Sequence, residues 1–126
     1  MQWLQEESPS TSLMGEPKIV LYVFVEWSDY AHLGGEIVEQ AEQRWATRHP
    51  HIPVSWWAGD FSSDPWMNWM TEQERCEGIR MFPLAGTGNG SLLWVQHGAV
   101  VAFTLSASHL GVGGVLERTE ETFGRE

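Results

Sequence analysis

The chain predicts an α/β fold: a mixed four-stranded sheet with helices on both faces. Three observations carry this. An apolar run, Ile19 to Val25, feeds through a short polar turn into an amphipathic helical pattern. A second strand-like run, Ile52 to Phe61, leads into a second helix-like segment. Two further apolar runs, Ser91 to Gln96 and Ala99 to Leu105, are separated only by His97-Gly98, the signature of a tight antiparallel hairpin.

The first run, Ile19-Val20-Leu21-Tyr22-Val23-Phe24-Val25, is β-branched and aromatic and too short for a buried helix. It breaks at Glu26-Trp27-Ser28-Asp29-Tyr30. Leu33, Ile37, Val38, Ala41 and Trp45 then recur at three- and four-residue spacing, which predicts one inward helix face, with Ser28 or Asp29 as N-cap. His49-Pro50-His51-Ile52-Pro53 ends that helix, because proline lacks a backbone donor and keeps its predecessor out of helical angles. The two histidines have no carboxylate or cysteine pattern around them and read as a solvated loop rather than a metal site.

Asp64 as N-cap with Pro65 at the first helical position starts the second helix, which runs to about Cys76 with Trp66, Trp69, Met70 and Gln73 inward. The glycines of Leu84 to Gly90 form a flexible loop; a phosphate-cradling loop would open a helix and carry a lysine. Ser106 or Ser108 caps a last helix with Val112, Val115, Leu116, Thr119 and Phe123 inward. Gly111, Gly113 and Gly114 weaken its first turns by roughly 1 kcal/mol each relative to alanine, so that end is expected to fray or to lie against another backbone. Strands joined by a helix should be parallel with a right-handed crossover, and the hairpin adds an antiparallel edge.

A chain of 126 residues is one domain, long enough to bury roughly two-thirds of its unfolded surface. Residues 1–16 are acidic and polar and are expected to form a flexible N-terminal tail before a folded domain over 17–126. Eight tryptophans serve mainly as core filler, with Trp27 and one of Trp56 and Trp57 as exceptions. A formal charge of −10 disfavours nucleic acid and anionic membrane surfaces. The single cysteine, Cys76, permits neither an internal disulfide nor a cysteine-based zinc cluster, and reads as a buried apolar residue. With no signal-peptide pattern and no membrane-length apolar stretch, a cytoplasmic protein without cofactor or metal is expected.

Three pieces in order resemble the thioredoxin family. Glu26-Trp27-Ser28-Asp29-Tyr30-Ala31-His32 is similar to the segment E-W-C-G-P-C-K, and Gly78-Ile79-Arg80-Met81-Phe82-Pro83 to G-I-R-G-I-P, whose proline is cis and faces the active site. Leu92 to Phe123 resembles the family's closing hairpin and capped helix. The resemblance covers about Lys18 to Phe123 and implies a thioredoxin-like three-layer sandwich.

The departures are chemical. Ser28 and Ala31 stand where the family has its two redox cysteines, and Tyr22 aligns with its buried aspartate. A dithiol cycle needs two thiols within bonding reach, so thioredoxin-type oxidoreductase activity is excluded. The insertion Leu84 to Gly90 separates Pro83 from the next strand, into which the family's proline leads directly. The peptide-binding face needs no sulfur. The resemblance therefore implies a non-catalytic adaptor or chaperone-like module that binds a protein or extended peptide through Trp27, Ser28, Asp29, Tyr30, Phe82 and Pro83. Ser28 and Asp29 read equally well as helix caps. The alternative is a glutathione- or small-thiol-binding enzyme using Ser28 and Tyr30, which the lack of a second helical domain and the charge of Asp29 disfavour. Oligomeric state is open.

Overall fold

The computed structural model describes residues 1–5, 8–26, 28–77 and 90–124, at 12 and 74–77 by the backbone alone. The elements are β1 (Gln2–Trp3), α1 (Thr11–Met14), β2 (Lys18–Val23), α2 (Asp29–Arg48), β3 (Ser55–Gly59), α3 (Asp64–Glu77), β4 (Leu92–Gln96), β5 (Ala99–Thr104) and α4 (Ala107–Phe123). The sheet is mixed, as expected, but has five strands rather than four, in the order β1-β3-β2-β4-β5. β1, β3 and β2 run parallel, and β4 and β5 are antiparallel to their neighbours.

The fifth strand comes from the segment expected to be a tail. Gln2 and Trp3 pair with Trp57 and Ala58, and the Leu4 amide continues the ladder to the Ala58 carbonyl at 2.7 Å. Leu4 and Leu13 are buried, and the Met1 ammonium pairs with Glu42 of α2. Two leucines nine positions apart in polar sequence leave no periodic signal, yet each finds an apolar site beside the sheet.

Alternation along β2 divides the core. Val20 and Tyr22 face a layer made by α2 and α4, with Val38, Ala41, Trp45, Val115, Leu116 and Phe123. Ile19, Leu21 and Val23 face the other layer, with Leu13 of α1 and Trp66 and Met70 of α3. Of the expected α3 face, Trp69 is half-buried, and Gln73 accepts a hydrogen bond from the Val100 amide at 3.0 Å, covering part of the β5 edge. Trp45, Trp56, Trp66 and Trp94 are core, Trp57 is half-buried, and Trp3 is 50% exposed.

Two helix faces differ from expectation. The inward stripe of α2 is Ala31, Gly34, Val38, Ala41 and Trp45, while Leu33 is 51% exposed and Ile37 half-buried. Small residues lead the stripe because the Tyr22 ring occupies the space beneath them. In α4, Gly111 takes φ 71° and ψ 173°, so the helix breaks there rather than fraying. A side chain added at Gly111 or Gly113 would meet nothing within 4 Å, and one at Gly114 would meet Leu110 at 3.1 Å, so no close backbone explains these glycines. The hairpin turn follows the expected chemistry, with positive φ at both His97 (51°) and Gly98 (80°).

A methyl group at Gly34 would come within 2.5 Å of the Tyr22 hydroxyl. Gly34→Ala is therefore expected to lower stability: overpacking costs about 1–3 kcal/mol, against a helix-propensity gain of about 1 kcal/mol. In the Tyr22→Phe background the penalty should shrink or reverse, giving a coupling of about 1 kcal/mol in a urea-denaturation double-mutant cycle.

Candidate functional site

The leading end of α2 is built from the loop that leaves β2. Ser28 is extended (φ −100°, ψ 125°), and its Oγ accepts from the Ala31 amide at 3.3 Å, the N-cap geometry. Asp29 follows in the first turn, where a negative charge meets the positive end of the helix dipole. His32 donates from Nε2–H to the Glu26 carbonyl at 2.8 Å, tying the loop back onto the helix.

Tyr22 lies beneath this turn, fully buried. Its hydroxyl donates to the Ala31 carbonyl, and the Gly35 backbone also hydrogen-bonds to it. Ala31 and Gly35 are four residues apart, so the phenol oxygen sits on a single step of the helical ladder. Burial pushes the Tyr22 pKa from 10.0 up to about 12, opposed by the Gly35 hydrogen bond. The phenol is thus neutral across the physiological range and acts as a fixed hydrogen-bond donor.

Gly90 closes the arrangement from the other side. Its φ is +72°, and a Cβ there would come within 2.5 Å of the Tyr22 hydroxyl and 3.2 Å of the Tyr30 carbonyl oxygen. The positive φ and the close approach both require glycine. The Gly90 carbonyl accepts from the Ala107 amide at 2.8 Å, the Val23 amide donates to the Ser91 carbonyl at 2.8 Å, and Ser91 Oγ donates to the Leu105 carbonyl at 2.9 Å. These bonds draw the ends of β2, β4 and β5 and the start of α4 to the leading turn of α2.

Between them opens a cleft of about 640 Å³ lined by Tyr30, Thr104, Leu105, Ser106, His109 and Leu110. Tyr30 is 65% exposed and Leu105 56%. The break at Gly111 leaves the first turn of α4 to present His109 and Leu110 here.

Of the residues the sequence singles out, Asp29 and Tyr30 are exposed at this end. Ser28 is only 5% exposed and its hydroxyl serves the helix, so it is not presented to a ligand. Trp27, Phe82 and Pro83 lie outside the described residues, as does the insertion apart from Gly90. Leu105, His109 and Leu110 were not foreseen. One signal was available: Leu105 extends an apolar run one residue past the paired part of β5, which ends at Thr104.

The histidine loop also differs from expectation. His51 is exposed, but His49 stacks on Trp45, with ring centroids 4.2 Å apart, and faces Glu120 Oε1 at 3.3 Å from Nε2. Among the described residues no group of three or more His, Cys, Asp or Glu is placed to hold a metal ion, and no helix is long and apolar enough to cross a membrane. No protein-family model matches this chain, and no curated protein matches it in sequence.

The raised Tyr22 pKa carries a pH dependence. The unfolded tyrosine ionises near 10 and the folded one near 12. The contribution is therefore complete below pH 10 and is lost as pH rises to 12, about 2–3 kcal/mol in all. Denaturation midpoints measured from pH 9 to 12 should fall more steeply in the wild type than in Tyr22→Phe. Ser28→Ala should cost about 1 kcal/mol of stability through loss of the cap, read by thermal unfolding.

Proposed function

We propose that this chain is a redox-inactive, thioredoxin-like module that binds an extended peptide or protein segment at the leading end of α2. The order β2-α2-β3-α3-β4-β5-α4 is the one the resemblance implies. The observation that carries the reading is the exposure of Tyr30 and Leu105 on the walls of one cleft, at the end where the resemblance locates a peptide-binding face. Tyrosine is an anchor residue suited to such a face, and Leu33, one turn along α2 from Tyr30, adds exposed apolar surface.

Among the described residues, the Tyr22 and Ser28 hydroxyls beside the leading end of α2 are engaged in the fold. Tyr22 is buried and committed to the backbone, and the Ser28 hydroxyl is engaged as a cap. A charge of −10 argues for a protein rather than a nucleic-acid partner. A chain without a disulfide suits a reducing compartment such as the cytoplasm.

The test is selection from a displayed peptide library, followed by calorimetric titration of the enriched peptides. Tyr30→Ala combined with Leu105→Ala should weaken binding about tenfold or more, while Ser28→Ala leaves affinity unchanged. Undiminished binding by the double variant would place the docking face elsewhere.

A further inference from the structure

A second cleft, of about 420 Å³, lies on the opposite flank of α2. His32, Gly35, Glu36 and Glu39 share that flank by helical spacing, whereas Tyr30 and Leu33 share the other. Trp3 and Phe24 add two rings to its lining, and Met1, Gln2 and Ala58 complete it.

The rings are arranged edge to face. Trp3 and Phe24 have centroids 5.4 Å apart and an interplanar angle of 81°. Phe24 and His32 have centroids 4.9 Å apart and an angle of 85°. Three rings in successive edge-to-face contact thus line one cleft, and an aromatic face attracts a cation. Both Trp3 and His32 are solvent-exposed, so the aromatic surface is accessible.

The charge at the mouth has the matching sign. Glu36 and Glu39 are exposed, and no ion pair engages either among the described residues. Glu42, one further turn along, already holds the ammonium of Met1.

Gly35 supplies an independent indication. A glycine inside a helix costs about 1 kcal/mol relative to alanine. Gly34 has a steric reason, since the Tyr22 hydroxyl fills the space of its missing methyl. A Cβ at Gly35 would meet only the Tyr22 ring at 3.6 Å, an ordinary contact. The core does not demand this glycine, and its effect is to leave the floor of the cleft open.

We infer that this cleft binds the methylated ammonium group of a lysine side chain carried on a peptide. Three of the lining side chains, Trp3, Phe24 and His32, are rings, and a ring face favours a methylated, weakly hydrated cation over a free ammonium. The carboxylates at the rim add long-range attraction. The cleft is open, so a small free cation would leave much of it empty, whereas a side chain can also place its stem and flanking backbone along the rim. This site stands independently of the Tyr30 cleft.

The experiment is calorimetric titration with a short alanine-based peptide carrying one trimethyllysine. The comparison ligands are the unmodified peptide, the peptide carrying the uncharged tert-butyl isostere, and choline. The trimethyllysine peptide should bind about fivefold or more tightly than the other three. Trp3→Ala should weaken it about fivefold or more, and Trp3→Phe less. Glu36→Gln with Glu39→Gln should weaken it severalfold at low salt and little at high salt. All of these positions are exposed, and circular dichroism confirms folding of each variant. Equal binding of the uncharged isostere would overturn the cation assignment. Equal binding of choline would overturn the lysine assignment. Absence of millimolar binding, or binding unaffected by Trp3→Ala, would overturn the site.

Discussion

The hydroxyl of Tyr22 is the constraint around which this end of the molecule is assembled. A phenol buried between sheet and helix must place its oxygen against a partner, and here the partner is the backbone step from Ala31 to Gly35. That placement excludes a side chain at Gly34 and at Gly90, and so determines how closely α2 and the start of β4 approach. Where the thioredoxin resemblance aligns a buried carboxylate, this chain has a group that stays neutral and donates a hydrogen bond.

The surface follows from this frame. Because the Gly90, Val23 and Ser91 hydrogen bonds tie the ends of three strands to the start of α4, beside the α2 turn that Tyr22 supports, Tyr30 and Leu105 come to share a cleft although 75 positions separate them in the chain. Because the inward stripe of α2 begins with Ala31 and Gly34, its two flanks are turned outward in a defined way. One carries Tyr30 and Leu33. The other carries His32, Glu36 and Glu39 beside Trp3 and Phe24. A single helix thus presents an apolar flank and an aromatic, acidic one, separated by the stripe that packs on the sheet.

Much of the core was legible because it obeys periodicity. The β2 run, the hairpin, the start of α3, one residue before the expected Pro65, and the inward residues Val115, Leu116, Thr119 and Phe123 of α4 all follow from spacing and capping chemistry. The errors arise where spacing carries little information. Leu33 fits the helical period but lies outward, because rotation of α2 by part of a turn exchanges Leu33 for Gly34, and pattern alone does not count glycine as an inward residue. The N-terminal segment reads as polar on average, while its structure depends on two leucines and a two-residue strand. Ser28 reads from the sequence both as a cap and as a site residue, and the geometry engages its hydroxyl as the cap.

By itself the sequence determined the α/β class, the order of strands and helices over most of the chain, and the absence of dithiol chemistry, since these depend on local hydrophobic pattern and on which atoms are present. Tertiary structure alone decided the fifth strand, the direction of each α2 flank, the meeting of Tyr30 with Leu105 and that of Trp3 and His32 with Phe24. These depend on distances set in three dimensions between residues whose separation along the chain carries no signal.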